Sequence, residues 1–450
     1  MRDVVVLIII LLFLIIAFRD SLGGMIAYWW FAIFRPQDWV YMDITGFRFP
    51  MIATILFFIP SMFRGKYPTL KDGIAILMVT WYLLMVLSAN INGCSDLFQK
   101  IEPLQYMFLL MFAVLLSASV IENKQHLLYL IAIVGLSLGF YSGKAGIQAI
   151  LAGGTSTYGA SNLEGIFSGS NAFAMGSGIL LFFLIFIYQQ CSNCNSKGLF
   201  PKYIILHPKL FSIVMLLFII GTIFNIISLS SRGSALATFL ALVLLFVLNG
   251  KWFKKAFLMI PILAITITII PLPEGYEQRI ESAFAEKEEL DASAASRPHF
   301  WKVATKMTQS YPLGVGPGCF REYYDFFDDS NGKYRRARDV HSSHFQVLAE
   351  SGYLGIFTWG LLFVFTYLRL FKLRRIVKAN EKNLDNPIFY TQLCNAIICS
   401  ITVYLIGGSL YSLAFNDLIW LNFGITIVLT KLINKEVTSI PTNGKESRIG

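Results

Sequence analysis

Long apolar stretches follow one another along most of this chain, and nothing else in the sequence constrains the fold as strongly. A helix needs about 20 apolar residues to cross a bilayer. Thirteen stretches meet or approach that length, at roughly 4–18, 22–34, 50–63, 73–89, 104–121, 126–149, 171–189, 211–229, 233–249, 256–272, 346–368, 389–412 and 414–431. The first two are short and closely joined, so we predict about twelve membrane-spanning helices.

The composition leads to the same fold class. Of the 450 residues, 56% are hydrophobic and only 14% are charged, whereas a soluble domain carries about 25% charged residues. So few polar groups cannot cover a surface in water, which excludes a soluble enzyme, a coiled coil, a fibrous protein and a disordered chain. We predict an all-α, polytopic integral membrane protein that forms a single domain over residues 1–450, with one large extracytoplasmic loop containing short helices.

Basic residues collect in every second connection between the apolar stretches, and cytoplasmic loops are the ones that accumulate Lys and Arg. The basic connections contain Arg64, Lys66 and Lys71; Lys197, Lys202 and Lys209; Lys251, Lys254 and Lys255; and the run Arg369, Lys372, Arg374, Arg375, Lys378 and Lys382. This pattern places those connections and the C-terminal tail in the cytoplasm. Membrane orientation thus accounts for the formal net charge of +10, and we predict no nucleic-acid partner.

The one long polar connection covers residues 273–345 and falls on the opposite, periplasmic side. It contains ten Lys and Arg against twelve Asp and Glu, a net charge of −2. Connections of this length are uncommon unless they are functional, so we expect a site on the outer face. The six cysteines are scattered and predict no disulfide framework.

Two arginines on the outer face are candidates for binding an anion. Arg232 lies in the tight turn Ser231-Arg232-Gly233 between two apolar stretches, where the small neighbours allow close approach to the guanidinium. Arg297 precedes Pro298, which suits the first turn of a helix predicted over 298–309. An arginine beside a helix N-terminus favours anion binding. The alternatives are an interfacial Arg232 and a solvated Arg297.

Two histidines, His341 and His344, stand just before the apolar stretch 346–368. An imidazole near arginines is suited to accept a proton from a hydroxyl. The alternatives are a helix-capping role or a metal pair, but no Cys, Asp or Glu completes a plausible ligand set. The glycines of residues 311–318 lack the ending of a P-loop and predict a turn rather than a phosphate contact.

Together these groups predict a chemistry that needs neither a metal nor a cofactor. Two guanidiniums match a pyrophosphate, which they can bind bidentately, and they can stabilise charge on a leaving group. A nearby base can activate a hydroxyl. The combination suits transfer of a group from a lipid pyrophosphate to an alcohol.

Four local patterns resemble the O-antigen ligase and polymerase superfamily of bacterial envelopes. They are G-x-F-x-x-x-N-x-x-A at residues 165–174, S-R-G at 231–233, R-x-x-x-W followed by P-x-G-x-G and F at 297–320, and H-[NS] followed by E-x-G-x-x-G at 341–355. The segment 34–39, Phe-Arg-Pro-Gln-Asp-Trp, is more similar to the branch of O-glycosylation ligases associated with exosortase systems.

The resemblance implies a helical fold of about twelve spans and a metal-independent, inverting glycosyl transfer. The donor would be a glycan on an undecaprenyl-type pyrophosphate, and the acceptor a glycan, lipid or protein. His341 would activate the acceptor hydroxyl, and Arg232 and Arg297 would bind the pyrophosphate. His344 stands where an aromatic residue is frequent in the family. His344, Lys144, Arg321 and Asn171 are secondary candidates.

Two other functions remain open from the sequence alone. A polymerase that joins lipid-linked polysaccharide repeat units would use the same groups. A transporter or flippase for lipid-linked glycans belongs to a different class, but such proteins often have repeated halves and helices broken at the midplane. Neither feature is visible here, so a ligase is the preferred interpretation.

Overall fold

The computed structural model describes residues 2–39, 49–154, 169–192, 199, 207–250, 292–334 and 338–439. These residues form fourteen α-helices and one short 3-10 turn, and they contain no strand. The helices are α1 (Arg2–Arg19), α2 (Ser21–Ile33), α3 (Phe49–Phe63), α4 (Gly73–Asn92), α5 (Leu97–Val120), α6 (Lys124–Leu151), α7 (Ser170–Ser192), α8 (Pro208–Ser228), α9 (Arg232–Leu248), α10 (Ala292–Ser310), α11 (Phe320–Phe327), α12 (Ser343–Ala379), α13 (Pro387–Gly407) and α14 (Asp417–Thr438).

Within the described part, eight helices are long and apolar enough to cross a membrane: α4–α8 and α12–α14. Three shorter apolar helices, α2, α3 and α9, accompany them. The polytopic all-α class is therefore supported, while a total of twelve spans stays a prediction. The predicted span at 256–272 lies outside the described residues.

The interior of the helix bundle is packed with aromatic rings and small residues. Trp81, Trp359 and Trp420 come from α4, α12 and α14, and their ring centroids lie 4.9 to 5.6 Å apart. Elsewhere in the bundle, α6 and α8 approach each other closely. A Cβ on Gly146 would lie 1.7 Å from the carbonyl oxygen of Gly221. Small residues allow this close backbone approach between membrane helices, so the glycines fix how α6 and α8 pack.

Helices α10 and α11 belong to the long polar connection and have a hydrophobic core of their own. Phe300, Met307 and Tyr324 are buried there. The prediction that the cysteines form no disulfide framework is wrong for one pair. Cys319, in this connection, forms a disulfide with Cys94, which precedes α5. The two cysteines are separated by 225 residues, so their spacing gave no indication of the bond.

The start of α10 differs from the prediction. The helix begins at Ala292 rather than at Pro298, and Pro298 lies inside it. The residues before the proline are mostly alanine and serine, and alanine has the strongest intrinsic preference for helix. Arg297 is consequently not beside a helix N-terminus, so that argument for anion binding does not hold.

The glycine-rich segment after α10, which the sequence predicted only as a turn, packs against the start of α12. Gly314 and Gly352 both have positive φ, and a Cβ on Gly352 would lie 2.1 Å from the carbonyl oxygen of Pro312. The backbone N–H of Val315 donates to Ala349 (2.9 Å), and that of Tyr353 donates to Pro312 (3.0 Å). The segment therefore pairs with α12 where Gly352 breaks its helical geometry, which fixes the loop on the bundle.

Candidate functional site

A cavity of about 480 Å³ opens where α7, the end of the long connection and the α13–α14 loop meet. Polar groups make up much of its wall. It is lined by Gly169, Ser170, Asn171, Ala172, Asp339, His341, Tyr411, Ser412, Leu413, Phe415 and Asn416. Two of the predicted site residues, His341 and Asn171, are among them.

His341 is held at the wall by the first turn of α12. Its own φ is +49°, a conformation that is uncommon outside glycine but in which histidine is enriched. The next residue, Ser342, caps the helix by accepting a hydrogen bond from the N–H of Phe345. The hydroxyl of Ser343 donates to the carbonyl of Tyr411 at 2.7 Å, so the chain around His341 is fixed to the α13–α14 loop.

The surroundings of His341 favour a neutral imidazole. Partial burial lowers the pKa of His341 below its ordinary value of 6.5, and the positive charges of Arg297, Arg338 and Arg321 lower it further, although Asp339 opposes them. A neutral imidazole is the form that can accept a proton. The three guanidiniums that lower this pKa are therefore close to the cavity wall at His341.

Arg297 contacts one of the cavity residues, Tyr411. Its guanidinium carbon lies 5.9 Å from the centre of that ring, within the range of a cation–π contact. Among the described residues, the buried Nε of Arg297 has no hydrogen-bond partner. A buried donor left unsatisfied is costly, so this group is suited to receive an oxygen acceptor.

The turn that carries Arg232 contacts the same tyrosine from another side. The hydroxyl of Ser231 lies 2.9 Å from that of Tyr411, and a Cβ on Gly233 would lie 3.1 Å from the Tyr411 hydroxyl. Arg232 itself is the first residue of α9. The structure thus brings the Arg232 turn, Arg297 and His341 together around Tyr411, although neither arginine lines the cavity.

The secondary candidates are placed differently from one another. Asn171 lines the cavity, and its carbonyl accepts a hydrogen bond from Ser234 at 3.5 Å. Arg321 forms a two-point ion pair with Asp339, in which its Nε donates at 2.6 Å. Lys144 is in α6 and does not line the cavity.

His344 faces the interior of the bundle. One ring nitrogen lies 3.1 Å from the carbonyl of Leu405, and the other accepts from the indole N–H of Trp359 at 3.4 Å. Both nitrogens are engaged, and His344 does not line the cavity. Of the two histidines, the geometry therefore makes only His341 available for chemistry.

Tyr411 and Asp339 are among the cavity residues that the sequence did not indicate. Tyr411 falls inside the predicted span 389–412, but α13 ends at Gly407, so the tyrosine lies in a connection. The paired glycines at 407 and 408 are the feature of the sequence that indicates where α13 ends. Asp339 gave no signal in the sequence, because its ion-pair partner Arg321 is 18 residues away.

One cluster in the described residues has the ligand types and spacing of a metal site: His299, Asp328 and Asp329. Asp329 is also bound by the ammonium groups of Lys302 and Lys306 at 2.7 and 2.8 Å. The hydrogen bonds and charges of the two lysines lower the pKa of the Asp329 carboxyl. Two lysines already neutralise that carboxylate, so we assign the cluster a role in holding α10 to the loop.

Comparison with known families yields two matches. A model described as O-antigen ligase matches residues 213–360, and a model of a family of unknown function (DUF5935) matches residues 1–191. No curated protein sequence shows a significant match. The first match contains Arg232, Arg297 and His341, whereas the second contains Asn171 and Lys144.

Proposed function

Since residues 213–360 show this chain to be a member of the O-antigen ligase superfamily, we propose that it transfers a glycan from a polyprenyl-pyrophosphate carrier to an acceptor hydroxyl. The predicted resemblance is thereby confirmed at the level of the superfamily. Its members are membrane ligases of the glycosyltransferase kind, and the helices of this chain are those of a membrane protein. The identity of the donor, the class of the acceptor and the location of the transfer at the outer face of the cytoplasmic membrane are parts of this proposal.

One observation carries the proposal. His341 lines a cavity whose wall includes Tyr411, and Tyr411 contacts both Arg297 and the turn that carries Arg232. His341 at the cavity wall, Arg297 and the turn that carries Arg232 therefore lie near one another, although they come from distant parts of the chain. This is the set of groups that the transfer requires.

The proposed transfer is a direct displacement at the anomeric carbon. The acceptor oxygen attacks the anomeric carbon of the donor glycan and forms the new glycosidic bond, while His341 takes the hydroxyl proton. The bond between that carbon and the pyrophosphate oxygen breaks, and the polyprenyl pyrophosphate leaves with the electron pair. Arg232 and Arg297 stabilise the negative charge that develops on it, and attack from the opposite face inverts the anomeric centre.

The test uses a strain that lacks the gene and receives full-length variants. His341→Asn is the sharpest variant, because asparagine tolerates the positive φ at this position but cannot act as a base. We expect transfer to fall by about 10²- to 10⁴-fold, with the glycan stranded on its lipid carrier. Arg232→Lys should also fail, because lysine cannot reproduce the bidentate geometry.

Arg19→Lys is the matched control for the arginine, because Arg19 is exposed at the end of α1. That variant should transfer normally. Membrane levels of each variant are measured by immunoblot, so a loss of folding is separated from a loss of chemistry. Near-normal glycan attachment by well-expressed His341→Asn would contradict the proposed base.

A further inference from the structure

A second cavity, of about 550 Å³, lies at the far end of the bundle between α9, α12 and α13. Three cationic side chains, Arg374, Arg375 and Lys378, line it, and Glu381 is the one acidic residue in its wall. The cavity plays no part in the proposed transfer. Its other lining residues are Asn249, Phe371, Val377, Pro387, Ile388, Thr391 and Gln392.

The two cavities are at opposite ends of α12. Both are next to α12, which starts two residues after His341 and carries the cationic residues near its other end. From Gly352 to Arg374 the helix rises about 33 Å at about 1.5 Å per residue. This distance matches the hydrocarbon core of a bilayer, which is about 30 Å thick.

The cationic groups are left available by the rest of the protein. None of the three forms an ion pair with a described residue. Arg374 donates one hydrogen bond to the carbonyl of Leu248 at 2.8 Å, and its guanidinium carbon lies 5.9 Å from the centre of the Phe371 ring. Within the described part of the chain, its buried Nε has no partner. An acceptor oxygen bound in the cavity would satisfy it.

The wall of the cavity also has an apolar side. The side chains of Phe371 and Ile388 are 39% and 46% exposed, and they flank the cationic residues. A free anion would gain nothing from them, whereas acyl chains would pack against them. Basic pockets between membrane helices are suited to the head groups of anionic lipids.

We propose that this cavity binds the phosphate head group of an anionic membrane lipid. The phosphate oxygens accept hydrogen bonds from Arg374 and Arg375 and face the ammonium of Lys378, while the acyl chains lie along Phe371 and Ile388. The lipid bridges α12 and α13 at the membrane face opposite the His341 cavity.

The experiment measures binding of tail-labelled phosphatidylglycerol to the purified full-length protein in a neutral detergent. Lys378→Gln removes a cavity charge, and Lys372→Gln removes an exposed charge from the same helix outside the cavity. Because one basic residue near a lipid surface contributes about fivefold in affinity, Lys378→Gln should bind about fivefold more weakly. Lys372→Gln should bind as the unchanged protein does.

Two results would overturn the proposal. Equal losses in both lysine variants would mean that the lipid is attracted by diffuse positive charge. Displacement by inorganic phosphate as effective as displacement by unlabelled phosphatidylglycerol would mean that the occupant is a free anion. Size-exclusion chromatography first compares how the variants elute. Arg375→Gln then removes a different charge from the cavity wall and repeats the test made with Lys378→Gln.

Discussion

Tyr411 is the residue around which the candidate site is assembled. Its hydroxyl contacts Ser231, its ring contacts the guanidinium of Arg297, and its carbonyl accepts from Ser343 two residues after His341. Tyr411 and His341 also line the same cavity, so one residue links the proposed base to both anion-binding elements. Tyr411 is therefore a positioning residue in the proposed transfer.

Replacing Tyr411 by phenylalanine removes the hydroxyl and keeps the ring beneath Arg297. A neutral hydrogen bond contributes about 1 kcal/mol, so we expect kcat/KM for glycan transfer to fall about fivefold. Tyr411→Ala should cost considerably more, because the contact with Arg297 is lost as well. Equal activity of the two variants would show that the ring does not position the arginine.

The lowered pKa of His341 predicts how transfer depends on pH. Below that pKa the imidazole is protonated and cannot act as a base, so the rate should fall on the acid side at a pH below the ordinary histidine value of 6.5. Arg338 helps to lower this pKa, so Arg338→Gln should raise it and move the acid limb to higher pH. The pH–rate profile of each variant measures the shift.

Lys333→Gln is the control for that profile, because Lys333 is exposed in the same connection and is not among the charges that shift His341. Its acid limb should stay where it is in the unchanged protein. An Arg338→Gln profile identical to the control would mean that another group limits the rate at low pH.

At the scale of elements, two segments that are far apart in the sequence pack against each other. We call the contact between residues 314–318 and residues 349–353 the joint. The glycines of residues 314–318 and the Glu350-Ser351-Gly352 segment meet through backbone hydrogen bonds, and Ser88 of α4 donates to the carbonyl of Glu350 at 2.7 Å. The Cys94–Cys319 disulfide lies beside this joint. The joint holds α10, and with it Arg297, against the bundle.

Gly352→Ala should weaken this joint. The position has a φ of +68° and no room for a Cβ, and backbone strain of this kind costs about 1–3 kcal/mol. Gly360→Ala is the control in the same helix, because a Cβ there meets no atom within 4 Å, and alanine favours helix by about 1 kcal/mol. Thermal unfolding in detergent should show a lower midpoint for the first variant only.

If Gly352→Ala unfolded at the same temperature as Gly360→Ala, the joint would not contribute to stability. Limited proteolysis of the long connection gives a second measurement. A loosened joint exposes α10 and α11 to cleavage, while the membrane helices stay protected.

At the scale of the whole molecule, the asymmetry of charge predicts its orientation. The His341 cavity and the basic cavity are at opposite ends of α12, and the positive charges of the second end predict that it faces the cytoplasm. The disulfide is on the His341 side, which agrees with an oxidising compartment.

Single cysteines in place of Lys333 and Lys382 test this orientation, because both lysines are exposed. In intact spheroplasts an impermeant thiol reagent should label the variant with cysteine at 333, and it should label the one at 382 only after permeabilisation. The described native cysteines are either buried or in the disulfide, so background labelling should be low. The opposite pattern would reverse the proposed topology.

The sequence by itself determined that this is an all-helical membrane protein, and it indicated the superfamily and three residues of the proposed site. These properties depend on hydrophobicity, charge and motifs that are local along the chain. Only the tertiary structure decided that Tyr411 meets Ser231 across 180 residues, that Cys94 pairs with Cys319, and that His344 faces inward. Contacts between distant segments depend on how the helices pack, and no local pattern encodes that packing.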